Sequence, residues 1–141
     1  MNNSKIVLAF PSVPENESFA RSVVTFYAMR LNPSVAELSD IKTAVSEAVT
    51  NSIVHGYPNG AGEIVLESEV VGDNLHINVF DKGIGIENVE QALEPFFTTK
   101  PNDERSGMGF TVMKSFMDEV IVKSEKGKGT SVYMVKRIGA G

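Results

Sequence analysis

Apolar residues change their period several times along this chain, and each change marks an element. Over residues 5–10, Ile6, Leu8 and Phe10 alternate with other side chains, the period-two pattern of a strand with one buried face. Pro11 and Pro14 break that pattern. Residues 15–31 carry Phe19, Val23, Phe26, Tyr27 and Arg30 at helical spacing, which predicts Phe19, Val23 and Phe26 toward a core and Arg21 on the outer side. Asn32-Pro33-Ser34 is a turn. A second helical region ends near Gly56, and in it Ile41, Ala44, Val45, Ala48, Val49 and Ser52 form one apolar or small-residue stripe. Residues 58–62 read as a loop.

Alternation returns in residues 63–71 and 74–80, two strands joined as a hairpin at Gly72-Asp73-Asn74. From 84 to 106 the pattern fades into polar residues, two prolines and one short apolar patch. A stretch of this length with little regular structure is a functional lid or a disordered segment, and the glycine motifs on both sides of it favour a lid at about 86–106. Residues 107–117 read as a helix with Val112, Met113, Phe116 and Met117 inward. Residues 119–125 and 130–136 make a second hairpin around Lys126-Gly127-Lys128-Gly129, and a loose tail is expected after 136. Two hairpins with helices grouped around them predict an α+β fold, a two-layer sandwich with one mixed sheet covered by helices on one face.

Composition narrows what such a domain does. A chain of 141 residues suits one domain, 1–141, with a real core, and it shows no repeat, low-complexity segment or linker. The net charge of −5 argues against direct nucleic-acid binding, which needs a basic face to displace counterions. The absence of cysteine excludes disulfides, thiolate metal sites and a Cys nucleophile, and it suits a reducing cytoplasm. The early apolar run from Ile6 to Phe10 is too short for a secretory core or a membrane span. A cytoplasmic protein without a membrane role is the expectation.

Three short motifs carry the candidate chemistry. In Glu47-Ala48-Val49-Thr50-Asn51 a carboxylate and an amide stand one helical turn apart, at the margin of the apolar stripe. Such a pair is either a solvated Glu with a polar helix-end Asn, or a base beside a metal-bound ligand. Mg²⁺ takes few protein oxygens and keeps its waters and phosphates, so one Asn carbonyl would suffice. Asp81-Lys82-Gly83-Ile84-Gly85 puts an acid at a strand end before two glycines. That is an ordinary turn, or an acceptor for an exocyclic amine such as adenine N6 with backbone close to a flat base. In Ser106-Gly107-Met108-Gly109-Phe110 the glycines open a helix, whose free N–H groups suit phosphate, or they form a hinge that closes the lid; Lys100 and Arg105 are either solvated charges or placed to meet a terminal phosphate. Neither a P-loop nor the protein-kinase glycine loop is present. His55 and His76 receive no chemistry.

Together these motifs resemble the nucleotide-binding boxes of the GHKL ATPases, the group containing gyrase, Hsp90, histidine kinases and MutL. Residues 47–51 match the asparagine box, 81–85 the first glycine box and 107–109 the second, and Gly129-Thr130 is similar to the final Gly-Thr element. Residues 15–21, 41–51, 97–101 and 104–110 closely resemble the anti-sigma-F family of spore-forming bacteria. The resemblance implies a sandwich of the Bergerat type and an ATP-dependent serine-protein kinase that uses ATP/ADP and Mg²⁺. It also implies binding to a sigma factor of the sigma-F type and phosphorylation of an anti-anti-sigma factor, the kinase acting as a homodimer. It assigns Glu47 as general base, Asn51 as Mg²⁺ ligand, Asp81 as adenine acceptor with Gly83 and Gly85 beside the base, and Thr130 near the base. It places Thr98, Thr99, Lys100, Ser106, Gly107, Met108 and Gly109 on the nucleotide, Arg105 at the terminal phosphate and Arg21 at the partner surface. A related kinase for a stress sigma factor, a histidine-kinase catalytic domain and a nucleotide-switched binding module without kinase activity are the alternatives.

Overall fold

The computed structural model of the chain describes residues 5–60, 62–86, 89, 93 and 109–139. Strand β1 (Ile6–Pro11) leads into helix α1 (Glu15–Ala28), which tightens into a 3₁₀ turn at Met29–Leu31. Asn32 at φ 54 ends that turn. Helix α2 (Val35–Asn51) starts at a capping box: the Ser34 hydroxyl accepts from the Glu37 amide while the Glu37 carboxylate accepts from the Ser34 amide. Then come a π-helical turn (Ser52–Gly56), β2 (Glu63–Val71), β3 (Asn74–Asp81), α3 (Gly109–Phe116), β4 (Glu119–Glu125) and β5 (Gly129–Arg137).

The sheet has five strands in the order β1-β2-β3-β5-β4, and every neighbouring pair is antiparallel. The expected sheet was mixed. The difference comes from β5: β4 runs in the same direction as β3, but the tight β4–β5 turn folds β5 back between them, so no parallel pair forms.

Helices cover one face. Ile64 and Leu66 of β2, Leu75, Ile77 and Val79 of β3, and Val132 and Met134 of β5 are buried there, against Ile41, Ala44, Val45, Ala48 and Val49 of α2. Helix α3 adds Met113, with Met117 just beyond its end, whereas Phe116, expected inward, is exposed. In α1 the inward face is Ala20, Val24, Tyr27 and Ala28, one position out of phase with the expected one; Phe19 and Phe26 are exposed. The chain past Lys136, expected to be loose, is tied down as far as Gly139. Ile138 is buried and its amide donates to the Asp73 carbonyl, and the Gly139 amide donates to Glu37 Oε2.

Candidate functional site

The site forms where α2 ends over one end of the sheet. Register places Phe10, Ile64, Asp81, Thr130 and Ser124 side by side in a single row across the five strands. The row is apolar on β1 and β2 and polar from β3 onward. Against Asp81 in that row lies the π-helical turn that follows Asn51. Such turns widen the helix and re-aim its side chains, a device found at functional sites.

Asp81 is the centre. It is only 6 % exposed, yet it is a carboxylate at a strand end. The Ser52 hydroxyl donates to its Oδ2 at 2.8 Å and the Gly83 amide to its Oδ1 at 2.9 Å, and the Thr130 amide also donates to it. Burial holds the carboxyl above the ordinary range, and these hydrogen bonds pull in the opposite direction. Ser52, which the sequence pattern absorbed into the helix stripe, and Gly56, read only as the end of that helical region, both border Asp81. The clue for Ser52 is a hydroxyl on an otherwise apolar buried stripe, because such a group needs a partner.

Close backbone approach explains the glycines. A methyl carbon at Gly83 would fall 1.9 Å from the Gly56 carbonyl oxygen, and one at Gly56 would fall 2.9 Å from Asp81 Oδ2. The two backbones therefore touch beside the carboxylate, and the Ile84 amide donates to the Gly56 carbonyl. Gly129, at φ +96, comes within 2.0 Å of the Asp81 carbonyl by the same measure, so position 129 excludes a side chain on both grounds. Gly85 follows on the same turn, packed against the Glu125 backbone. Tyr57 braces the turn, its hydroxyl accepting from the Lys82 amide and donating to the Glu63 carbonyl.

The asparagine motif and the second glycine motif also meet. Glu47 and Asn51 are half-buried on α2, and the first described residue of α3, Gly109, packs on the Asn51 amide: a methyl carbon there would lie 2.8 Å from Nδ2. That Nδ2 is buried with no hydrogen-bond partner among the described residues. A buried amide left so is unusual, and it fits a group that a ligand completes. No cluster of three His, Cys, Asp or Glu among the described residues can hold a metal by itself. The unpartnered Nδ2 is a donor, so the group that would complete it is an acceptor such as a phosphate oxygen.

Arg21, half-buried on α1, pairs with Glu17 at 3.5 Å. His76 is hydrogen-bonded to Tyr133 on the uncovered face of the sheet, away from the site. Thr98, Thr99, Lys100, Arg105, Ser106, Gly107 and Met108 lie outside the described residues, as does the expected lid apart from Ile86, Val89 and Leu93.

Comparison with known proteins agrees with this geometry. Residues 10–136 match the histidine kinase-like ATPase domain. The chain is 52% identical over 138 residues to the anti-sigma F factor of Clostridium beijerinckii, covering 97% of this chain and 96% of that one. It is 54% identical over 133 residues to the anti-sigma F factor of Thermoanaerobacter sp. (strain X514), covering 94% and 93%. Among solved structures, the RsbU and RsbW domains of Rv1364c from Mycobacterium tuberculosis share the fold with a TM-score of 0.68 at 17% identity, over 95% of this chain and 32% of that one. The catalytic domain of histidine kinase ThkA matches with a TM-score of 0.59 at 16% identity, over 94% and 96%. The chain belongs to the histidine kinase-like ATPase family and, within it, to the anti-sigma F factors.

Proposed function

We propose that this protein is both an anti-sigma factor and an ATP-dependent serine-protein kinase. It holds a sigma factor of the sigma-F type away from RNA polymerase, and it phosphorylates a serine of an anti-anti-sigma protein. The names of its relatives support the first activity. The observation that carries the second is the buried Asp81, held by Ser52 and backbone amides and walled by Gly56 and Gly83, with the buried Asn51 Nδ2 on the same helix end left without a hydrogen-bond partner among the described residues.

Asp81 accepts from the adenine amine, and the glycines admit the flat base. The Asn51 carbonyl holds Mg²⁺, which when bound screens the charge on the phosphates. Glu47, one turn before Asn51, takes the proton of the substrate serine as its oxygen bonds to the terminal phosphorus and the bond to the ADP oxygen breaks. Gly107 and Gly109 cradle phosphate, Thr98, Thr99, Lys100, Ser106 and Met108 complete the nucleotide contacts, and Arg105 offsets charge on the transferring group. Arg21 contacts the protein partners, and the kinase acts as a cytoplasmic homodimer. Among the described residues no helix is long and apolar enough to cross a membrane.

Incubation with labelled ATP and candidate anti-anti-sigma proteins tests the proposal. Label on a partner serine supports it, and label on a histidine replaces it with a histidine kinase. Nucleotide-dependent sigma binding without transfer would leave a binding module. Glu47→Gln keeps shape but cannot accept a proton, so transfer should slow about 10²–10⁴-fold with nucleotide affinity little changed. Normal transfer by that variant removes Glu47 as the base.

A further inference from the structure

We propose that Ser124 is a positioning residue: it fixes the direction of the Thr130 hydroxyl and thereby lets the pocket distinguish a 6-amino purine from a 6-oxo purine. The inference rests on the reading of Asp81 as the acceptor for the base.

Ser124 Oγ makes three contacts. The Ile86 amide donates to it at 2.6 Å, the Gly129 carbonyl lies at 2.9 Å, and Thr130 Oγ1 lies at 2.7 Å. A hydroxyl has one proton and two lone pairs. Ile86 occupies one lone pair. The Gly129 carbonyl can only accept, so it takes the Ser124 proton. The contact with Thr130 is then a hydrogen bond only if Thr130 donates, into the second lone pair. Ser124 is saturated, and Thr130 has committed its own proton.

The consequence lies one strand over. Thr130 is the cross-strand neighbour of Asp81 on the helix-covered face, and adjacent strands are about 4.8 Å apart. With its proton turned toward Ser124, the Thr130 oxygen can only accept. Asp81, when ionised, also only accepts. The row therefore presents two adjacent acceptors, which a 6-amino group with its two N–H donors satisfies. A 6-oxo group brings an acceptor instead, and unpaired acceptors in a desolvated site are costly. Without Ser124, the Thr130 proton is free to turn and meet that carbonyl.

Inosine triphosphate, which carries a 6-oxo group and a proton on N1 where ATP has a 6-amino group and a bare N1, is the probe. Calorimetric affinities for ATP and inosine triphosphate are measured for the full chain and for Ser124→Ala, Ser124→Cys, Ser124→Thr, Thr130→Ala and the Ser124→Ala/Thr130→Ala double variant, with melting curves to confirm folding. The preference for ATP should fall roughly five- to tenfold in Ser124→Ala, the scale of one hydrogen bond. It should fall likewise in Ser124→Cys, which keeps volume but bonds poorly. Ser124→Thr should retain the preference. In the Thr130→Ala background, Ser124→Ala should change nothing further. A purely structural defect lowers both affinities and leaves their ratio alone. An unchanged ratio in both Ser124→Ala and Ser124→Cys overturns the proposal, as does an undiminished effect in the absence of the Thr130 hydroxyl or loss of the preference in folded Ser124→Thr. Failure of the unaltered protein to bind ATP at all would instead overturn the reading of Asp81.

Discussion

Two rows on the same face of the sheet, two residues apart along every strand, do opposite things. Leu8, Leu66, Val79, Val132 and Val122 form one; Phe10, Ile64, Asp81, Thr130 and Ser124 form the next, about 7 Å away. The first row is apolar from edge to edge and belongs to the same buried core as the apolar stripe of α2. The second turns polar at β3 and lies under the π-helical turn with Ser52 and Gly56. Burial of apolar area makes the first row a source of stability. The second buries a carboxylate whose ionised form is disfavoured there, so its charge is held at a cost in stability. From β3 onward, one fold face is thus divided, at a spacing of two residues, into an apolar part that holds the domain together and a polar part that forms the candidate site.

The largest effect expected on this division is in the apolar row. Leu66 is fully buried, and Leu66→Ala should cost about 2–5 kcal/mol of unfolding free energy, measurable by chemical denaturation. The ratio of affinities for ATP and inosine triphosphate should not change, because no group of the polar row is touched. Loss of that preference together with stability would mean that the two rows are not separable.

Asp81→Asn is the reciprocal experiment. ATP affinity should drop by about 1.5–3 kcal/mol with or without Mg²⁺, the scale of a hydrogen bond to a charged group. Discrimination against GTP should relax. The melting midpoint at neutral pH should hold or rise, since a disfavoured charge is removed. The sign with pH follows from linkage. The folded-state pKa of Asp81 is raised above the unfolded value, so the folded chain holds this proton more tightly, and stability from this group falls as pH rises through the raised pKa. Nucleotide binding runs the other way, weakening as pH falls through the same pKa because the acceptor is protonated. Titrations across that range, with melting curves alongside, should show the two trends crossing; parallel trends would remove Asp81 as the acceptor.

The apolar row was more legible in the sequence than the polar one. Residues 74–80 alternate cleanly, and α2 carries only one apolar stripe, so their buried faces follow from period alone. Helix α1 carries two. Phe19, Val23 and Phe26 form one stripe and Ala20, Val24, Tyr27 and Ala28 the other, and spacing cannot rank them. The stripe with two alanines is the buried one, and small side chains let neighbouring elements approach closely. The order of β5 and β4 is likewise set by a tight turn and by pairing partners, not by local pattern. Asp81 and the glycines beside it stood out as a motif. Their supports did not: Ser52 reaches Asp81 across 29 residues of sequence, and Gly56 is needed only because the Gly83 backbone lies against it.

Ser52 gives the smallest and most diagnostic effect. Its hydroxyl is one of three donors that favour the ionised form of Asp81, the others being backbone amides of Gly83 and Thr130 that a side-chain change leaves in place. Ser52→Ala should therefore raise the Asp81 pKa further without freeing the carboxylate to move. ATP affinity at neutral pH should fall by about 1 kcal/mol, a few-fold in dissociation constant. The pH at which binding is lost should shift upward, which a general weakening of the site would not produce. At a pH well above the shifted pKa the variant should recover most of its affinity, because the carboxylate is ionised again and the base meets the same acceptor. A loss of affinity that is the same at every pH would mean that Ser52 contributes packing at the helix end, and that the polar row is tuned by its backbone donors alone.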